Sequence, residues 1–230
     1  MKVWVFVEGE SDSKALGALF EGWRAKLRKA GWGLPIIALG SKSLLLRKIG
    51  WHAAEKLCAN PKDLVVGLPD LYPNREYETT EYRHTSLDEL RQIQTKRVLA
   101  ALRDSSGLNS CAANAHAERF FGGAMKHDLE VLLLAARTEL RAYLKTSDHL
   151  GGWRNPVEEQ DQNNPPKRIV EGLFKAKLRR TYRDTKDASA VLRAVSDLRT
   201  ILYGDSQQMQ CPAFKEMLDW VGQRTGVPAY

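Results

Sequence analysis

The sequence predicts an α/β fold: a mainly parallel sheet flanked by helices, followed by a helical C-terminal part. Three observations predict it. Val3–Val7 is an uninterrupted, Val-rich apolar run of strand length, apolar toward both faces as in the middle of a parallel sheet. Residues 3–70 then run strand, helix, strand, helix, strand, an order that right-handed crossovers build into parallel neighbours. Beyond residue 166 the apolar spacing is helical throughout.

The elements follow in order. Ser11 is placed to cap a helix whose face carries Leu16, Leu19, Phe20, Trp23 and Leu27, and Gly31 and Gly33 stop it. A second strand covers residues 34–39, and Ser41 or Ser43 opens a helix through Leu44, Ile49, Ala53 and Leu57. A third strand over 63–70 ends on an acid. Residues 74–84 read as a polar loop. Ser86 and Glu89 form a capping box for the next helix, which residues 105–107 close. Residues 119–125 read as a fourth strand weakened by glycine, and a leucine-rich helix follows from about 130 to 144. The stretch 146–166 turns to Gly, Asp, Asn, Gln and Pro and reads as a loop. A basic helix from Lys167, one over about 188–203, and one opening at Pro212 complete the chain. The expected organisation is a core over 1–146 with a helical insertion at about 74–118, a loop over 147–166, and a helical part over 167–230.

Composition narrows the function. Of 230 residues, 43% are hydrophobic and 27% charged, which is ordinary for a globular chain and excludes disorder. No apolar run approaches the ~20 residues of a membrane span, and no signal-peptide pattern opens the chain. Three cysteines, far apart, exclude a disulfide framework and a C-x-x-C zinc site, so a cytoplasmic protein with reduced thiols is expected. The net charge is +7, and residues 167–183 hold seven basic residues against one acid, Glu171. Nearly the whole excess therefore sits in one stretch, which favours a polyanionic partner.

In a parallel sheet, ligands bind beyond the carboxyl ends of the strands. Glu8 stands there after the first strand and Asp70 after the third, so both are expected to face one crevice. Asp128 and Glu130 follow the fourth strand and reach the same place together only if the backbone is still extended. Carboxylates that converge repel one another unless protons or a cation compensate. Hard oxygen donors select Mg²⁺ or Mn²⁺, which commonly act on phosphates. Glu10 and Asp12 fit the ordinary role of acids in a first helical turn. No E-x-K follows Pro69-Asp70 on a suitable strand, and no G-x-x-x-x-G-K-[ST] loop is present, so this chain is not itself a P-loop ATPase.

The segment Val-Phe-Val-Glu8-Gly9-Glu10-Ser11-Asp12 resembles the first motif of Toprim domains, shared by topoisomerases, primases and overcoming-lysogenization-defect nucleases. The chain resembles more closely a Toprim-like family of bacterial proteins often found beside ATPases in phage-defence loci. Besides the Glu8 motif, Asp70-Leu71-Tyr72-Pro73, His127-Asp128-Leu129-Glu130 and Asn164-Pro165-Pro166-Lys167-Arg168-Ile169 carry that resemblance. It implies a Toprim-like, Rossmann-like fold. Glu8 resembles the glutamate that serves as general acid or base and as metal ligand. Asp70 resembles the first aspartate of the D-x-D metal motif, whose second acid is here Tyr72. Asp128 and Glu130 resemble an H-E-x-E segment, with Asp128 where glutamate is more usual, and would supply the ligand that Tyr72 cannot.

In the basic stretch, Lys167 and Arg168 at a helix start are placed to bind phosphate, and Lys175, Arg179 and Arg183, spaced by four, are expected to line one helical face. The resulting expectation is an Mg²⁺- or Mn²⁺-dependent nuclease acting on DNA or RNA. Glu8 and Asp70 would be catalytic, Glu8, Asp70, Asp128 and Glu130 would hold metal, and a separate ATPase is the partner that the resemblance implies. The alternatives are a Toprim-like module that binds nucleic acid or a partner without catalysis, and a phosphatase or phosphotransferase on small nucleotides.

Overall fold

The computed structural model describes residues 1–104, 106–204 and 207–230. Its strands are β1 (Val3–Val7), β2 (Ile36–Ala38), β3 (Leu64–Leu68) and β4 (Phe120–Gly122). They form one parallel sheet in the order β2-β1-β3-β4, so the expected α/β fold with a parallel sheet flanked by helices is what the chain adopts. The β1–β3 register pairs Val3 with Leu64 and Val7 with Leu68, which brings both carboxyl ends level.

Alternation along the strands divides the core into two layers. Val3, Val5 and Val7 of β1, with Leu64, Val66 and Leu68 of β3, face one cluster; Phe6 and Val65 face the other. The second cluster is closed by α3 (Lys42–Ala59), α4 (Leu87–Asp104) and α5 (Ser110–Ala117). Glycine lets α4 approach the sheet and α3 closely: a Cβ on Gly67 of β3 would clash with Gln94 Oε1, and one on Gly50 of α3 with the Arg97 carbonyl. The first cluster is closed by α1 (Glu10–Leu19) and α2 (Glu21–Lys29), joined by α6 (Glu130–Ala135) and α7 (Arg137–Tyr143). The C-terminal helices α8 (Pro166–Leu178), α9 (Ser189–Arg193), α10 (Leu198–Tyr203) and α11 (Pro212–Thr225) pack into that same core.

Several expected elements are shorter or broken. The first helix is capped at Gly9 rather than Ser11, with the Gly9 N–H donating to Asp12 Oδ2 at 2.8 Å. It ends at Phe20, whose fully buried ring stacks on Phe214 at 5.9 Å, and α2 starts afresh to turn Trp23 and Leu27 inward. The helix expected over 130–144 divides at Ala136 (ψ 50°), and the one over 188–203 divides after Arg193. Ser41, not Ser43, caps α3, accepting the Leu44 N–H. The Ser86–Glu89 capping box forms as expected. Ser105, expected to help close α4, lies outside the described residues.

The basic helix ends at Leu178 because Arg179 adopts a left-handed conformation (φ 53°). Lys175, Arg179 and Arg183 therefore do not share a helical face. The chain folds back so that Arg180 reaches Asp187, 1% exposed, which accepts from Arg180 Nη1 and Nη2 (2.7 and 2.8 Å), Arg183 N (2.8 Å) and Tyr143 Oη (2.7 Å). Burial pushes the Asp187 carboxyl up, but these donors outweigh it and hold its pKa below the ordinary value. Its stabilising contribution is thus present above the unfolded pKa and lost as pH falls through the folded one. We expect Asp187→Ala to lower stability by about 3 kcal/mol in urea unfolding at pH 7, because the Arg180 charge loses its partner. The difference from the parent chain should shrink below about pH 4, where an unfolded aspartate protonates; an equal difference at every pH contradicts the assignment.

Candidate functional site

Parallel pairing continues past the strand ends and builds the site. Beyond β3 and β4, Asp70 bridges to Met125, with Met125 N donating to the Pro69 carbonyl (2.9 Å) and Leu71 N to the Met125 carbonyl (2.7 Å). The chain after β4 is thereby laid beside Asp70. Across β1, the Asp70 N–H donates to Glu8 Oε1 at 2.8 Å, so the two acids singled out in the sequence meet as expected. Asp128 and Glu130 arrive from the β4 side, and both lie near enough to Asp70 to raise its pKa. The backbone there is no longer a strand: Leu129 is helical and Glu130 opens α6, so the approach is made from a helix start.

The electrostatics are those of buried acids compensated only in part. Burial, then Glu8, Asp12, Asp128 and Glu130, push Asp70 well above the ordinary aspartate value. Burial also lifts Glu8 to about 7, against the opposing Asp70 N–H and the Lys42 charge. Glu130, only 3% exposed, is lifted to about 7 by burial and Asp128, while Asp128 reaches about 6 by burial, moderated by Lys167. Asp12 is raised by burial as well.

Two basic groups stand beside these acids. Lys42, at the first position of α3 and buried, donates to the Leu71 carbonyl (2.9 Å) and the Pro73 carbonyl (2.7 Å). It latches the 70–73 segment and faces Glu8 and Asp70; burial pulls its pKa down to about 8 although those acids push it up. Sequence reasoning missed Lys42. The signal was available: Ser41 and Lys42 follow β2 at the same sheet edge as Glu8 and Asp70. Lys167, expected only as a phosphate contact, lies at the acids. Its backbone N–H donates to Asp128 Oδ2 (3.2 Å), its ammonium is 3.8 Å from Asp184, and Glu130, Asp184 and Asp128 outweigh burial to raise its pKa.

The rest of the basic stretch divides by partner. Lys177 pairs with Asp148, 29 residues away, and Arg180 with Asp187, seven residues on. Arg168 donates to the Asn163 carbonyl (2.8 Å). Lys175, Arg179 and Arg183 are exposed, and their side chains have no ion pair among the described residues.

A family model described as a domain of unknown function, DUF4276, matches residues 7–222. The chain belongs to that family. No curated protein matches it. Among solved structures it is similar to the C-terminal region of the Xanthomonas campestris pv. campestris OLD protein phased with mercury, at 15% identity and TM-score 0.47, covering 97% of this chain and 96% of that one. The iodine-phased structure of the same region gives 15% identity and TM-score 0.45, covering 97% and 95%. Among the described residues of this DUF4276 chain, no helix is long and apolar enough to cross a membrane.

The donor set fits a hard divalent cation in its chemistry. All four acids present oxygen, and Asp128 Oδ1 is sealed from solvent without a hydrogen-bond partner. Among the described residues no three His, Cys, Asp or Glu are already gathered closely enough to hold an ion, so a cation would have to draw them in.

Acids whose folded pKa is raised stabilise below their unfolded values and lose that contribution as pH rises through the folded ones. The metal-free chain should therefore lose stability from about pH 4, where free carboxylates titrate, up to the values near 6 and 7 of Asp128, Glu8 and Glu130. Asp70→Asn removes the cost of a buried acid among acids and should raise the Tm at pH 7.5 by a few degrees in metal-free buffer. A lowered Tm would show that Asp70 is compensated already.

Proposed function

We propose that this DUF4276 chain is a divalent-metal-dependent nuclease that hydrolyses phosphodiester bonds of DNA or RNA, as the effector of a separate ATPase in anti-phage defence. The observation that carries the chemistry is the approach of Glu8, Asp70, Asp128 and Glu130 to one another beyond β1, β3 and β4, where Lys42 and Lys167 compensate the buried acids only in part. The Toprim-like motifs support the same reading and alone supply the ATPase and the defence setting.

In this reading Glu8, Asp70, Asp128 and Glu130 hold Mg²⁺ or Mn²⁺, which supplies polarisation of the phosphoryl oxygen and a more acidic water. Glu8, in the general-base role that the resembled motif implies, accepts the proton of the attacking water. The new bond joins the water oxygen to phosphorus. The bond from phosphorus to the leaving sugar oxygen breaks, and that oxygen takes a proton from solvent. Lys42 keeps the Asp70 segment in place through the Leu71 and Pro73 carbonyls. Lys175, Arg179 and Arg183 are free to neutralise phosphates.

Tyr72 in place of a second acid favours a second reading, a module that binds nucleic acid without cutting it. Cleavage of linear single-stranded and duplex DNA and RNA, with Mg²⁺ or Mn²⁺ and with EDTA, separates the two. The nuclease reading expects metal-dependent products and a loss of about 100-fold or more in Glu8→Gln. Cleavage unchanged in Glu8→Gln, or binding with no cleavage under any condition, sinks it. Alanine at Lys175, Arg179 and Arg183 should lower the slope of log affinity against log salt by about 1 per residue.

A further inference from the structure

Beside the carboxylates lies a cleft of about 380 Å³ that the proposed hydrolysis does not use. We propose that it receives one nucleobase of a single-stranded segment, stacked on Tyr72, next to the phosphate being cut. The inference rests on the nuclease reading for its place in the reaction, but the binding it describes needs neither metal nor turnover.

One wall is aromatic. Tyr72 and His127 face each other with ring centroids 5.2 Å apart, inclined at 45°, and the Tyr72 hydroxyl has no hydrogen bond among the described residues. Several polar atoms around it are uncommitted. His127 is 2% exposed and lies against the Glu158 and Gln160 backbones, but its Nδ1 has no partner, and Asp128 Oδ1 is likewise sealed and unpaired. At the rim, the side chains of Arg75, Gln162 and Asn163 make no hydrogen bond or ion pair among the described residues. A sealed, unpartnered imidazole nitrogen costs free energy unless a ligand satisfies it.

The chemistry selects the occupant. An aliphatic ligand would leave the His127 nitrogen and the amides unpaired. A bare anion would meet Asp128. A flat ring with donors and acceptors on its edge uses both the Tyr72 face and the polar rim, which is how unstacked bases are held. The volume lies at the lower end of the ~300–1,000 Å³ of ordinary ligand sites, enough for one nucleotide and too small for a base pair. A base still paired in a duplex cannot enter. Asp128 belongs both to the cleft and to the acid cluster, so the phosphate of the held nucleotide lies beside Asp70. Tyr72, where the resembled motif has an acid, thus exchanges a ligand for a stacking platform.

The test uses 2-aminopurine, whose fluorescence is quenched by stacking, as its uncharged nucleoside and within a single-stranded octamer, both in EDTA. We expect saturable quenching by the parent chain, retained by Tyr72→Phe and weakened about 5-fold or more in affinity by Tyr72→Ala. The double variant Gln162→Ala/Asn163→Ala changes only exposed, unpartnered side chains and should also weaken it. The same octamer in a duplex should stay unquenched. Absence of quenching by the parent, or equal quenching by Tyr72→Ala and the rim variant, overturns the proposal. Cleavage without quenching would condemn the base site alone, and quenching without cleavage the nuclease reading alone.

Discussion

The hydrogen bond from the Asp70 backbone N–H to Glu8 Oε1 fixes the geometry on which the rest of the site depends. It follows from parallel register: once Val7 pairs with Leu68, the residues just beyond β1 and β3 must be neighbours. Val3, Val5 and Val7 pack one way and Phe6 the other, so a shift by one residue would turn every side chain to the wrong layer. The core thus holds two acids together that would otherwise separate. Lys42 keeps the segment after Asp70 from relaxing, and the Asp70–Met125 bridge brings the next pair of acids alongside.

The carboxylates of this chain fall into two kinds. Asp63 accepts from Lys2 N and Trp4 Nε1 at the amino ends of β1 and β3, Glu158 accepts the Ala213 and Phe214 N–H groups at the start of α11, and Asp187 has four donors. These acids tie segments of the fold together through their donors, although burial still lifts Glu158 to about 6. Glu8, Asp70, Asp128 and Glu130 differ in standing together: burial raises all four, neighbouring acids add to it at Glu8, Asp70 and Glu130, and Lys42 and Lys167 offset this only in part. Such incompleteness costs stability, which is the mark of a site shaped for something else.

Much of this arrangement was legible in the sequence. The Val-rich run of β1 and the acid-ended β3 are patterns that only a central parallel strand satisfies, and the strand-end rule then brings Glu8 and Asp70 together. The same rule applied to β2 would have found Lys42. What could not be read is long-range or conformational. Spacing by four cannot reveal that Arg179 leaves the helix in a left-handed conformation, nor that Asp148 and Asp187 neutralise Lys177 and Arg180. The break at Phe20 depends on Phe214, almost the whole chain away. Asp128 and Glu130 converge from a helix start, a geometry that neither strand nor helix periodicity describes.

The central claim is that the four acids await a divalent cation, and calorimetric titration of Mn²⁺ into the purified chain tests it most directly, beside Asp70→Asn and Glu8→Gln. The account predicts binding with a dissociation constant of about a millimolar or tighter in the parent chain, weakened about 10-fold or more by Asp70→Asn. No binding at several millimolar, or equal binding by Asp70→Asn, would contradict it.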